Sequence, residues 1–264
     1  MKIDKATTLG KFSLIIDRIS KKFKSSQNHI AIFKKKLTLK RELKQCTKKR
    51  IIVGAGGTQY EGWLSTDETI LNLLFDEDWA SLFRPDSLDA ILAEHVWEHL
   101  TPEQAVIAAS NCFKYLKLGG YLRVAVPDGL HPGEDYISWV MPEGIGPGSD
   151  DHKVLYTHKT FGSLFSSVGF TVSLLEYFDQ RGFFHEFAWN PVDGMVRRSK
   201  RFDKRNADGV LRYTSIIIDA KKSQSADRTE CASHIITYPI FNSLMPQHPK
   251  NFAGSRACTC ESDK

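Results

Sequence analysis

No apolar run in this 264-residue chain approaches the roughly 18 to 20 residues that cross a bilayer; the longest, residues 12–16 and 215–218, are short. A membrane-spanning helix is therefore not expected. The five cysteines, Cys46, Cys112, Cys231, Cys258 and Cys260, are odd in number, irregularly spaced and without a paired CxxC. Neither a disulfide framework nor a structural zinc site follows from them, and a reducing, cytoplasmic setting is the expectation. A GxGxxG fingerprint is missing, which counts against a nicotinamide dinucleotide, and internal repeats are absent. What is present, 41% hydrophobic and 25% charged residues, excludes a wholly disordered chain.

Charge is unevenly placed. Residues 1–50 carry thirteen lysines and three arginines against Asp4, Asp17 and Glu42, +13 in all, so the remainder holds −8 of the net +5. The arm is not a secretory signal, because Asp4 and Asp17 interrupt it and no small-residue cleavage site follows. Phe12, Ile15, Ile16, Ile19 and Phe23 recur at helical spacing among basic residues, and Ile30, Ile32, Phe33 and Leu37 suggest a second helix. Such helices cap the body and leave their lysines in water. Peripheral contact with an anionic lipid surface and binding of nucleic acid are the alternatives, since lysine-rich helices attract phosphates without selecting among them. Interleaved aromatics that would stack bases are not seen.

From Arg50 onward, short β-type runs alternate with helical patterns. Residues 51–54, 63–66, 88–93 and 121–126 read as buried parallel strands, 170–177 as a further strand and 213–220 as an antiparallel edge. Thr101-Pro102-Glu103-Gln104 opens a helix that Gly119-Gly120 ends, and 157–168 is a helix ended by Gly169. Three segments follow: a basic helical arm over 1–49, an α/β domain over 50–221, and a weakly ordered tail over 222–264.

Gly54-Ala55-Gly56-Gly57 directly follows the first strand, where glycine lets backbone approach a ligand at the carboxyl end of an open sheet. Asp67 closes the second strand, where a carboxylate can accept both hydroxyls of a ribose. Only residues 58–62 separate the glycines from Trp63, too few for a long crossover helix whose N-terminus would hold a pyrophosphate. A nucleoside cofactor without a pyrophosphate fits better.

The succession IIVGAGG at 51–57, GWLSTD at 62–67, LDAILAEHVWEHL at 88–100 and LKLGGYLRVAVPD at 116–128 resembles the class I S-adenosylmethionine-dependent methyltransferases, nearest to predicted members with a short glycine-loop connection and an HVxEHL segment. The likeness spans roughly residues 50–221. It implies a Rossmann-like α/β fold with a central, mostly parallel seven-stranded sheet and helices on both faces, and S-adenosyl-L-methionine as cofactor. It puts Gly54, Ala55 and Gly56 beside the methionine portion, Asp67 on the ribose, Asn72 and Trp79 near the adenine, and Glu94 and His95 beside the sulfonium. One departure stands out. Where many members have an acid two residues before the first glycine, this chain has Ile52, so the cofactor's ammonium needs another acceptor, Glu94 or a backbone carbonyl.

Methyl transfer asks for in-line alignment, exclusion of water and removal of a proton from a hydroxyl acceptor. His152, flanked by Asp151 as an orienting acid, is the favoured base and His131 its rival. His99, Asp128, Tyr136 and Tyr156 are the candidate acceptor contacts, and the glycine- and proline-rich insert over 142–148 suggests a lid. A metal is not expected, and the weaker metal reading takes His131, Asp135, Asp151 and His152. Phe183, Phe184, Phe187 and Trp189 are candidates for a wall facing the sulfonium or for core, and the basic run 197–201 for contact with an anionic acceptor. The expected function is methylation of an oxygen or nitrogen in a small molecule or sugar. An RNA methyltransferase using the arm, a nicotinamide-dependent oxidoreductase and a non-catalytic binding protein are the competing readings. Oligomeric state is not legible.

Overall fold

Three of the four side chains of β1 (Arg50–Val53) are buried, the pattern of a central strand covered on both faces. It pairs in parallel with β2 (Leu64–Ser65) on one side and β3 (Leu88–Glu94) on the other, and β3 pairs in parallel with β4 (Leu116–Pro127). The remaining strands are β5 (Thr171–Phe178), β6 (Phe184–Glu186) and β7 (Ser215–Lys221). The computed structural model describes Gln27 and residues 29–223, whose strands form one seven-stranded sheet in the order β2-β1-β3-β4-β7-β5-β6. Five strands run one way; β7 and β6 run against their neighbours. This is the Rossmann-like α/β architecture.

The last long strand is antiparallel as expected, but β7 is no edge. It lies between β4 and β5, and its Ile216, Ile217 and Ile218 are fully buried, a continuous apolar run suited to the interior of a sheet. The sheet's edges fall instead to the two shortest strands, β2 and β6.

Helices arise where the caps say they should. After α1 (residues 29–45) and α2 (Asp76–Leu82), Pro102 begins α3 (Pro102–Tyr115), where Thr101 accepts from the Gln104 amide while the Gln104 side chain accepts from the Thr101 amide. Its end differs from expectation. The helix stops at Tyr115 because Leu116 is already extended and pairs with Leu88, and Gly119-Gly120 lie inside β4 as an irregularity that shifts the register to Ala90 opposite Tyr121. A short helix α4 (Glu134–Val140) follows β4. α5 (His158–Val168) ends at Gly169, whose φ of +113° few side chains tolerate.

One sheet face packs against α1 through Leu39 and Leu43, against α2 through Trp79 and Leu82, and against α3 and α5. The helix over 29–45 thus docks through its far end, and Lys36 pairs with Asp78 at 2.6 Å. The helix read over 12–23 and the tail beyond 223 lie outside the described residues. The opposite face carries Ile52, Leu92, Ala125 and Ile217 under Trp63, Trp189 and Val196. Among the described residues no helix is long and apolar enough to cross a membrane.

Candidate functional site

The chain leaves β1 through Gly54, at φ +58°, where an added Cβ would fall 2.6 Å from Val96 Cγ2. Only glycine permits both the conformation and the close approach. The Ala55 amide then donates to the Thr66 carbonyl at 2.9 Å and the Thr66 amide to the Ile52 carbonyl at 2.7 Å, tying the glycine loop to the end of β2. Across the loop, β3 ends at Glu94, and His95 adopts a left-handed φ of +57°, uncommon for a residue with a side chain. From there the chain enters a single 3-10 turn, Trp97–His99.

Between these two strand ends lies a cavity of about 240 Å³. Gly54, Ala55, Gly56 and Thr58 line it from one side, Glu94, His95, Glu98 and His99 from the other, with Ile52 and Leu92 between them. Pro147, Gly148 and His152 come from the glycine-rich insert and Arg197 and Arg198 from the segment before β7. That insert does reach the cavity, yet it is internally bonded, with the amides of Ile145 and Gly146 donating to Ser138 and Trp139 carbonyls.

Polar groups around the cavity are mostly committed. Glu94 accepts from the backbone amides of Arg198 at 2.9 Å and Arg197 at 3.2 Å, holding that segment over the sheet end. His95 Nε2 lies 3.0 Å from Ser215 Oγ, which donates to the Arg198 carbonyl, so the ring nitrogen is the donor. Its Nδ1 is 3.1 Å from Glu98 Oε1, close enough for an ion pair but not aligned as a hydrogen bond, and both Glu98 oxygens are buried without a hydrogen-bond partner. Burial is the largest single influence on Glu98 and opposes its ionisation, but the adjacent His95 and His99 rings and the backbone together outweigh it and draw the carboxyl below its ordinary value.

His152 lies 2.7 Å through Nδ1 from the Val140 carbonyl, which fixes the proton on Nδ1 and leaves Nε2 with its lone pair. Burial holds this imidazole below its ordinary pKa. Its ring sits 4.8 Å from that of His99, nearly perpendicular. One ligating atom each from Glu98, His99 and His152 lies within 4.8 Å of the others. Sequence spacing gave no hint of this grouping, because Glu98 and His99 are adjacent while His152 arrives from the insert.

Several sequence-expected residues sit elsewhere. Asp151 does not orient His152; it is exposed and pairs with Lys153 at 2.8 Å, with His99 Nδ1 3.4 Å away. His131 is no free base: Nδ1 accepts from the Gly133 amide at 3.0 Å and Nε2 lies 3.1 Å from the Leu211 carbonyl, while the ring stacks on Tyr136. With His131 so engaged and Asp135 exposed in the first turn of α4, the grouping His131, Asp135, Asp151 and His152 does not assemble. Asp128 is fully buried and accepts from the Leu130 and Phe178 amides, and Tyr136 bridges the Asp128 amide and the Thr214 carbonyl. Both are joints between strand ends rather than acceptor contacts. Tyr156 is core, packed on Phe161 and outside the cavity lining: its buried hydroxyl has no hydrogen-bond partner, and burial with the nearby Glu98 charge pushes its pKa up.

Asp67 Oδ1 accepts from the Thr69 amide at 3.0 Å, just past the end of β2 and outside the cavity lining. Asn72 caps its own turn by accepting from the Leu74 amide. Trp79 is core: fully buried, stacked on Tyr115 at 5.3 Å, its indole donating to the Leu73 carbonyl, with no face left for an adenine. The aromatic wall does not form either. Phe183 and Phe187 are exposed, Phe184 packs on Phe178, and Trp189 donates to Glu176 beneath Arg123.

No family model and no curated protein matches the chain. Among solved structures it is similar to a SAM-dependent methyltransferase from Archaeoglobus fulgidus, with 17% identity over 70% of this chain and 94% of that one and a TM-score of 0.39. It is also similar to Haemonchus contortus phosphoethanolamine N-methyltransferase 2, at 12% identity over 72% of this chain and 53% of that one, TM-score 0.36. Human N-acetylserotonin methyltransferase is similar at 12% identity over 67% of this chain and 41% of that one, TM-score 0.36.

Proposed function

We propose that the cavity receives the sulfonium end of S-adenosylmethionine and that the protein transfers its methyl group to an oxygen or nitrogen of a small molecule or sugar. One observation carries this reading. The cavity sits at the carboxyl ends of β1 and β3, where the chain steps from β1 outward to β2 and then back to β3 on the other side. Open α/β sheets bind their ligands at such a reversal of strand order. Gly54 supports it, since a Cβ would fill the cradle beside Val96.

At about 240 Å³ the cavity falls below the roughly 300 Å³ at the lower end of small-ligand sites, so it encloses one end of the cofactor and the ribose extends toward Asp67. The cofactor, when bound, supplies an electrophilic methyl. The chain's own groups do the rest. The glycine loop admits the methionine portion, and Pro147 and Gly148, which also line the cavity, cover part of the bound ligand against water. His152 Nε2, lone pair free, accepts the acceptor's proton. Arg197 and Arg198 favour an acceptor carrying a carboxylate or phosphate.

The deciding experiment is calorimetric titration of the full chain with S-adenosylmethionine and with its demethylated product, followed by an acceptor screen. Micromolar binding of both supports the reading. Binding of NADH with none of either compound would overturn it. His152→Ala should depress turnover while leaving cofactor affinity intact.

A further inference from the structure

Glu98 is the least comfortable charged group in the described chain. Its side chain is 1% exposed, both carboxylate oxygens lack a hydrogen bond, and its nearest polar neighbour is a misaligned imidazole at 3.1 Å. A buried carboxylate in that state is costly unless a cation completes it. Two further donors face the same space. The buried Nδ1 of His99 has no hydrogen bond, its contact with Asp151 Oδ2 being 3.4 Å long, and His152 Nε2 is left as a bare lone pair by the Val140 carbonyl. A metal-ligating histidine characteristically gives its other ring N–H to a backbone carbonyl in this way. The Lys153 amide donates to the Glu98 carbonyl at 2.6 Å, pinning the His152 segment against the turn that carries the other two residues.

We infer that Glu98, His99 and His152 form a divalent transition-metal site in the wall of the cavity. Two imidazoles and one carboxylate make a donor set suited to zinc, with manganese or ferrous iron next, and unsuited to magnesium, which prefers oxygen alone. Ligating atoms around a tetrahedral ion at about 2.0–2.1 Å stand about 3.3 Å apart, so the 4.8 Å cluster closes by side-chain rotation. Three protein ligands leave a coordination position open, and all three residues line the cavity, so that position faces the ligand space. The ion's role toward an acceptor oxygen rests on the methyl-transfer reading: with the ion bound, His152 Nε2 ligates it and serves as base only in the metal-free protein, and the ion makes a hydroxyl acidic. Metal binding itself does not rest on that reading.

The test uses the full chain stripped with a chelator and titrated with zinc against a chromophoric competitor, with manganese and magnesium as further arms. Zinc should bind at one equivalent, magnesium at least 100-fold more weakly, and Glu98→Gln and His152→Ala should each lose at least 100-fold in zinc affinity. His185→Ala, a histidine paired with Asp179 away from the cavity, should bind as the parent does. Cobalt substitution guards against variants that fail to fold. In the parent protein the ion should show a d–d band without the near-ultraviolet thiolate transition that Cys258 or Cys260 would produce. Absence of zinc binding, unchanged affinity in both variants, or a thiolate band overturns the site. Titration of the stripped protein with S-adenosylmethionine is read separately, so neither failure masks the other.

Discussion

Arg123 and Asp219 stand opposite each other in the β4–β7 ladder and share two parallel hydrogen bonds of 2.8 Å. The guanidinium is 3% exposed, and its Nη1 donates to the carbonyls of Asn190 and Gly194. One side chain thus fastens the segment that ends in Arg197 and Arg198 to the middle of the sheet. Arg123→Met should cost about 2–4 kcal/mol, at the lower part of the range for a broken buried pair because Asp219 is 26% exposed. Urea denaturation measures it. Arg212→Met, which breaks the exposed pair with Asp208, should leave the transition nearly where it was.

Gly54→Ala combines a strained φ of +58° with a collision against Val96. The expected cost is about 1–3 kcal/mol of stability, with a cofactor affinity at least tenfold lower because the loop must shift away from β3. Gly57→Ala is the control: φ is also positive, but an added Cβ meets nothing within 4 Å. Equal losses of affinity in the two variants would show that backbone strain, not the close approach at Gly54, governs the loop.

Burial pushes the Asp128 carboxyl up from 3.8 to about 6, although the Phe178 and Leu130 amides pull the other way. Between those values the folded protein holds a proton that the unfolded chain has released. The contribution of Asp128 to stability should therefore be full below about pH 4, fall as pH rises to about 6, and level off above it, a change on the order of 3 kcal/mol from this group. Asp128→Asn, whatever its absolute stability, should remove that slope. Denaturant midpoints at half-unit pH intervals for parent and variant decide it, and parallel curves would assign the proton elsewhere.

Local signals were legible in the sequence where a single residue type has a single physical use. Thr101, Pro102 and Gln104 announce the start of α3, and Gly169 announces the end of α5, because caps depend on neighbours in the chain. Positions of six strands were legible from their apolar runs, while the three residues of β6 were too few to show one, and the place of β7 between β4 and β5 is a long-range choice that its own residues do not encode. The seven residues of α4 lie between Gly133 and Met141 with too few turns to show a period. At the site, Gly54, Glu94, His95, His99 and His152 were legible as candidates and line the cavity. Glu98 was not, since an acid reads the same exposed or buried; its signal was a carboxylate inside HVWEHL with a histidine three before and one after. Trp79 shows the converse, an aromatic whose sequence position near a loop says nothing about which way its ring turns.

Asp67 is the remaining expectation for the cofactor, and its surroundings make it testable by contrast. The Thr66 amide is locked to the Ile52 carbonyl and the Ala55 amide to the Thr66 carbonyl, so Asp67 is held one residue beyond a rigid joint with the glycine loop. A carboxylate there that takes a ribose diol makes charge-assisted bonds, and Asp67→Ala should weaken S-adenosylmethionine binding by about 1–3 kcal/mol. Two neighbours separate this from a general disturbance of the segment. Asn72→Ala removes a turn cap at a similar distance along the chain, and Trp79→Phe thins the core under α2, so both should lower the melting temperature. Neither touches the cavity lining, and their affinities should stay within a factor of three of the parent. If Trp79→Phe loses as much affinity as Asp67→Ala, the carboxylate has no direct part in binding, and the ribose must lie elsewhere along the strand ends.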